Sequence, residues 1–105
     1  MKTLAKRCCK DASDEAIKEA ALVAIMPDLP RWKAKDKAIS RTWELADYYE
    51  VMALVNAIAW ISHHEDHHPD MHVGFNTVKV TYSTHTAGGV TEKDVICAAK
   101  VGELI

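Results

Sequence analysis

Five of the six histidines in this 105-residue chain lie between His63 and His72, and the sixth is His85. Imidazole titrates closer to neutral pH than other side chains, so clustered histidines are typical of sites that transfer protons or bind metal ions. A solvated polar helix end is the third explanation of such a cluster. The three interpretations require different backbone conformations at the cluster. The secondary structure predicted from the surrounding residues therefore helps to distinguish them.

The segment 64–68, His-Glu-Asp-His-His, contains the His-Glu-x-x-His pattern of zinc peptidases, in which two histidines on one helical turn bind zinc. That pattern requires a helix that continues through its second histidine. Pro69 disfavours the helical conformation for the residue before it, so we do not expect this zinc geometry. A structural metal site at His63 and His67 remains an alternative, whereas our prediction is that no metal is bound.

The helix that carries the cluster is predicted to span residues 47–66. Asp47 and Glu50 form a capping-box pattern, and a broad apolar face follows. After the helix, alternating apolar and polar residues predict two strands on either side of a turn at Asn76-Thr77. His85 is expected on the polar face of the second strand.

The remaining elements complete the predicted fold. Apolar spacing predicts a helix that Ser13 caps and that ends before Pro27. A hairpin follows with its turn at Asp36-Lys37, and Thr91 with Asp94 caps a last helix. The order is α-β-β-α-β-β-α. Because short hairpins pair strands in antiparallel fashion, the predicted class is α+β, with a four-stranded antiparallel sheet and helices packed on one face.

Length, charge and cysteine content narrow the class of protein. A chain of 105 residues with net charge -2 has the size of one domain and shows no bias towards nucleic acid or membranes. We expect residues 1–12 to form a mobile basic tail and residues 13–105 to form a single domain. The odd number of cysteines, with Cys8 and Cys9 adjacent in the tail, and the lack of a secretory leader predict a cytoplasmic location, with the nucleus as the alternative.

A set of residues in the second half of the chain resembles the signature of one known family: His63, His67, His68, Pro69, Phe75, His85 and Asp94. The resemblance extends upstream through residues 29–32, Leu-Pro-Arg-Trp, and 39–43, Ile-Ser-Arg-Thr-Trp, and covers about residues 13–104. On these residues the chain is similar to the pterin-4a-carbinolamine dehydratases, small enzymes of aromatic amino acid hydroxylation. The fold of that family has the order of elements predicted above.

The resemblance implies dehydration of a 4a-hydroxytetrahydropterin to a quinonoid dihydropterin and water, in the recycling of a tetrahydrobiopterin-type cofactor, without a metal or other cofactor. It implies proton transfer by His67 and His85, with the division between acid and base left open, and pterin binding by His68. The substrate-binding residues that it implies are Trp32, His63, Ser83 and Thr84. Asp94 is expected to orient a histidine as well as to cap the last helix. His63 departs from the family, in which this position is often Glu.

Self-association is also expected, because the helix over residues 47–61 has two apolar stripes on different sides. Val51, Leu54, Ile58 and Ile61 form one stripe, and Tyr48, Met52, Val55 and Ala59 form the other. One stripe can face the sheet while the other faces a neighbouring subunit. The resemblance implies a homotetramer built as a dimer of dimers. Vertebrate relatives also bind a homeodomain transcription factor, but nothing in this sequence supports such a partner, and neither nucleic acid nor a membrane is predicted.

Overall fold

The computed structural model describes residues 2–105, and for residues 2 and 3 it describes the backbone alone. The helices are α1 (Lys2–Lys6), α2 (Glu19–Ile25), α3 (Tyr48–Glu65) and α4 (Glu92–Gly102). The strands are β1 (Lys33–Lys35), β2 (Ala38–Glu44), β3 (Asp70–Val73) and β4 (Thr77–Tyr82). Short 3-10 turns lie at Cys9–Asp11, Met26–Asp28 and His85–Ala87. The predicted α+β class is confirmed, with α1 as an additional element.

The four strands form one antiparallel sheet in the order β1-β2-β4-β3. In its centre Ile39 pairs with Tyr82, and Trp43 pairs with Val78. Every second residue of β2 and β4 is buried, and the residues between them are more exposed. This alternation places the helices and the core on one face of the sheet, as predicted.

Helix α3 begins and ends where its sequence signals predict. Asp47 Oδ1 accepts a hydrogen bond of 2.9 Å from the N–H of Glu50. The helix stops at Glu65, and Asp66 adopts the left-handed conformation with φ 52°. The N–H of His67 then donates to the carbonyl of Ser62 at 3.1 Å, which closes the last turn and reverses the chain. No helix in the described part of the chain is long and apolar enough to cross a membrane.

Helix α2 starts later than predicted, because the residues from Ser13 to Lys18 are not helical. Ala16 forms an antiparallel bridge with Thr91, and the N–H of Ile17 donates to the carbonyl of Val90 at 2.7 Å. This pairing with a distant segment holds the backbone extended. The prediction that Ser13 caps the helix is therefore wrong.

The first segment of the chain, which is predicted to be a mobile basic tail, contacts the core and two helices in the structure. Cys9 is 1% exposed, and its Sγ lies 3.4 Å from the Sγ of Cys97 inside the core. Its N–H donates to Glu65 Oε1 at 2.9 Å, and Lys100 Nζ donates to a carbonyl of α1 at 2.7 Å. These contacts attach the segment to α3 and α4. Met1, which the prediction included, lies outside the described residues.

Candidate functional site

The candidate site is centred on a contact between His67 and Asp94. His67 Nε2 lies 2.6 Å from Asp94 Oδ1, and the aspartate is fully buried whereas the imidazole is 14% exposed. Asp94 accepts hydrogen bonds at its other contacts, so it acts as the acceptor for His67 as well. Nε2 then carries a proton, and Nδ1 is the nitrogen that remains for a substrate.

Asp94 is held in place by the start of α4 and the end of β4. Its Oδ2 accepts from the N–H of Thr91 at 2.8 Å, which completes a capping box. The same oxygen accepts from Thr84 Oγ1 at 2.8 Å, and the hydroxyls of Thr84 and Thr91 are 3.0 Å apart. Asp94 thus caps the helix and contacts a histidine at the same time, and both contacts were predicted from the sequence.

Tyr82 supports the imidazole from the core side. Its ring lies parallel to that of His67, with centroids 6.1 Å apart and an interplanar angle of 7°. Tyr82 is fully buried, and burial raises the pKa of its phenol far above the usual value, so the ring stays neutral. Tyr82 is not among the site residues predicted from the sequence. Its position on the inward face of β4, two residues before Thr84, is the signal that could have found it.

The other two predicted catalytic histidines are chain neighbours of this network. His68 is exposed and follows His67, and His85 is exposed and follows Thr84. The prediction that His85 stands on the polar face of a strand is wrong, because β4 ends at Tyr82 and His85 begins a 3-10 turn. The carbonyl of Thr84 accepts from the N–H groups of residues 87–89, which folds this turn back on itself.

Ser83, Trp32 and His63 lie outside the Asp94 network within the described part of the chain. Ser83 Oγ donates to the carbonyl of Lys37 at 2.8 Å. Trp32 is 6% exposed, and its ring centroid lies 5.9 Å from that of Tyr82, the ring that lies parallel to His67. His63 is exposed on the last turn of α3. The structure thus brings Thr84 alone of the four predicted substrate-binding residues into contact with Asp94.

The zinc-peptidase geometry is not formed, because α3 ends before the second histidine of the pattern. His64 stacks on Trp60 with ring centroids 5.0 Å apart, and Glu65 turns towards Cys9. Burial acts to raise the pKa of Glu65, but the hydrogen bond from Cys9 and the charge of Lys100 outweigh it and hold the pKa below its usual value. Across residues 2–105, no group of three His, Cys, Asp or Glu residues is placed to hold a metal ion.

Comparison with known proteins identifies the family. A family model described as pterin 4 alpha carbinolamine dehydratase matches residues 11–104. A Xanthomonas campestris pv. campestris protein provisionally named pterin-4-alpha-carbinolamine dehydratase is 50% identical over 97 residues, which cover 90% of this chain and 82% of the relative. A Stenotrophomonas maltophilia protein with the same provisional name is 46% identical over 101 residues, covering 93% of this chain and 87% of the relative. A crystal structure of a transcriptional coactivator/pterin dehydratase from Brucella melitensis has a TM-score of 0.81 and 28% identity, and covers 86% of this chain and 98% of that one. The chain belongs to the pterin 4 alpha carbinolamine dehydratase family.

Proposed function

We propose that this protein dehydrates a 4a-hydroxytetrahydropterin to a quinonoid dihydropterin and water, in the recycling of a tetrahydrobiopterin-type cofactor. Membership of the family and the names of its relatives support the reaction. The observation that carries the proposal is the 2.6 Å contact between His67 and the buried Asp94. It leaves one imidazole nitrogen for proton transfer and holds the ring in a fixed orientation.

The reaction is an elimination, and its requirements match the residues around Asp94. The hydroxyl at C4a leaves as water once it is protonated, and the ring nitrogen next to it loses a proton as the new double bond forms. No electrons are exchanged with another molecule, so two proton-transfer groups account for the chemistry. In our proposal His67 donates from Nδ1 to the departing hydroxyl, and His85 accepts the proton from the ring nitrogen. The buried carboxylate of Asp94 balances the positive charge on His67 before the proton is transferred.

The remaining predicted residues are proposed to hold the pterin. His68 adjoins the proton donor and is exposed, so it can contact the substrate directly. The hydroxyls of Ser83 and Thr84 already donate to Lys37 and Asp94, so they can only accept from the amino and amide N–H groups of the pterin. His63 lies on the last turn of α3, four residues before His67 in the chain. Trp32 is the exception: it is proposed to support the pterin site indirectly, through its ring contact with Tyr82.

Glutamine variants of the histidines test this mechanism. His67→Gln keeps a hydrogen-bond donor for Asp94 but cannot transfer protons. His85→Gln removes the second proton-transfer group, which is proposed to accept the proton from the ring nitrogen. Each is expected to lower kcat by at least about tenfold in an assay of 4a-hydroxytetrahydropterin dehydration. His72→Gln, an exposed histidine on β3, is the matched control and should keep wild-type kcat. His68→Ala should raise KM at least as much as it lowers kcat. Full activity in His67→Gln or His85→Gln would remove that residue from the mechanism.

We also propose that the protein is a cytoplasmic homotetramer built as a dimer of dimers. Large aromatic side chains are exposed on the surface: Tyr48, Tyr49, Trp60 and Phe75 are 51%, 84%, 68% and 71% exposed. Burial of such residues between subunits removes apolar surface from water. The three cysteines are all free, which suits a reducing compartment.

A further inference from the structure

Two buried thiols that have no place in the proposed dehydration meet against α4. Cys9 Sγ lies 3.4 Å from Cys97 Sγ, and the two residues are 1% and 0% exposed. The residues are 88 positions apart in the sequence, so the contact is made by the fold. The S–S bond of a disulfide is about 2.05 Å long, so a movement of about 1.4 Å would join the two sulfur atoms.

Hydrogen bonds distinguish the two sulfur atoms. The Cys9 thiol donates to the carbonyl of Lys93 at 3.6 Å, so Cys97 is the donor in the contact between the sulfur atoms. This bond from Cys97 lowers the pKa of Cys9, and the charge of Lys100 acts in the same direction, whereas burial and the charge of Glu65 oppose it. The same bond and burial raise the pKa of Cys97. Because the thiolate is the reactive form of cysteine, Cys9 is the better nucleophile of the pair.

The pair connects the N-terminal segment, residues 2–12, to both helices of the candidate site. Cys9 is the only buried residue of this segment among those whose side chains the structure describes. Its N–H binds Glu65 at the end of α3, and Cys97 lies three residues after Asp94 on α4. Helix α1 has five residues, which is too short for a helix that is stable by itself. The segment is therefore expected to open more readily than the long helices, and its opening exposes Cys9 to solvent.

We propose that Cys9 and Cys97 are a reversible oxidation site, at which a hydroperoxide converts the two thiols into a disulfide that fastens the N-terminal segment to α4. The sulfur of Cys9 attacks the hydroperoxide, the O–O bond breaks, and Cys9 becomes a sulfenic acid while an alcohol, or water from hydrogen peroxide, leaves. The sulfur of Cys97 then attacks the sulfur of the sulfenic acid, and a second water leaves with the proton of Cys97. The thiols lose two electrons and the hydroperoxide gains them. A small thiol reverses the reaction by exchange, so in a reducing compartment the pair rests as free thiols.

The test uses the variant Cys8→Ser, which removes the exposed thiol next to Cys9 and prevents disulfides between molecules. The folded protein is treated with hydrogen peroxide, unfolded, alkylated and measured by mass spectrometry. We expect a product lighter by two hydrogen atoms that takes up no alkylating reagent, a peptide pair linked through Cys9 and Cys97, and return of both thiols with dithiothreitol. Thiols that stay unreacted, or Cys9 oxidised to a sulfinic acid beside a free Cys97, would overturn the proposal.

Two further measurements concern the attachment of the segment. Cleavage by trypsin after the exposed Lys10 depends on opening of the segment, so the disulfide should slow it by at least about tenfold. The bond also closes a long loop, so the melting temperature should rise by about 10 °C. If the disulfide forms and neither the cleavage rate nor the melting temperature changes, the proposed fastening is wrong.

The variant Cys8→Ser with Cys97→Ala is the matched control. It keeps the nucleophile and removes the second thiol, so Cys9 should stop at the sulfenic acid, which dimedone traps, and peroxide should not protect Lys10 from trypsin. Protection of Lys10 by peroxide in this control would overturn the role of Cys97. None of these measurements uses dehydratase activity, so their result is independent of the proposed function.

Discussion

The exchange Asp94→Asn separates the two contacts of the buried carboxylate. Asparagine has nearly the same shape, but one of its two polar atoms is a donor. Asp94 Oδ2 accepts two short hydrogen bonds, from the N–H of Thr91 and the hydroxyl of Thr84, whereas Oδ1 contacts His67 Nε2. Two bonds outweigh one, so we expect the amide oxygen to stay on the side of Thr91. The amide NH₂ then points towards His67.

That orientation reverses the tautomer of His67. The NH₂ group donates to Nε2, so the neutral imidazole carries its proton on Nδ1, the nitrogen that we propose faces the pterin. This Nδ1 proton is hard to transfer, because Nε2 is unprotonated and loss of the proton would leave an imidazolate, whereas the imidazolium beside Asp94 becomes a neutral ring. Loss of an effective proton donor costs about 10²- to 10⁴-fold in kcat, or about 3–5 kcal/mol of transition-state stabilisation. The free energy of unfolding should fall less, by about 1–3 kcal/mol, because the cap of α4 remains and a single charge-assisted bond becomes neutral.

Three measurements test this reasoning. The dehydration assay gives kcat and KM, long-range ¹⁵N–¹H NMR gives the tautomer of His67, and chemical denaturation gives the free energy of unfolding. Thr84→Val is the matched control, because it removes one bond to Asp94 Oδ2 but keeps the contact with His67. It should lower stability while His67 stays protonated on Nε2. Asp94→Asn with an unchanged tautomer and full turnover would refute the positioning role of Asp94.

Three further predictions concern the rest of the molecule. Dialysis against a strong chelator should leave dehydratase activity intact, since the elimination requires proton transfer alone, and stoichiometric zinc lost together with activity would contradict this. Sedimentation equilibrium at micromolar concentration should show a tetramer, and a single species near 11.7 kDa would contradict self-association. The lowered pKa of Glu65 means that its stabilising contribution is present above the pKa of the unfolded chain and is lost as the pH falls through the folded value. Wild-type protein should therefore be more stable than Glu65→Gln at pH 7, and the difference should decrease as the pH falls below the ordinary glutamate pKa of about 4.3, as measured by urea denaturation at each pH.

The elements predicted correctly are those whose signals are local. The caps at Asp47 and Thr91 involve residues three positions further along, and both are present. The turn at Asp36 and Lys37 is also formed, with both residues at positive φ, as a two-residue hairpin turn requires. The start of α2 was predicted wrongly because Ala16 pairs with a segment far along the chain, and local propensity does not register such a pairing.

The candidate site shows the same division between local and distant information. Asp94 was expected near a histidine, but the hydroxyl bond from Thr84 depends on how β4 packs against α4, and no spacing in the chain encodes it. Glu65 adjoins the histidines in sequence, yet it binds the backbone of Cys9, because the helix ends and turns it towards the N-terminal segment.

Packing also determines the contacts of Trp32, a residue that the resemblance places near the substrate. Its indole is buried against Tyr82, and the ring of Tyr82 in turn stacks on His67. The ring of Tyr82 thus connects Trp32 to His67, and the indole Nε1 of Trp32 would lie 3.4 Å from a Cβ at Gly102. A substitution at Trp32 would disturb both ends of α4 at once.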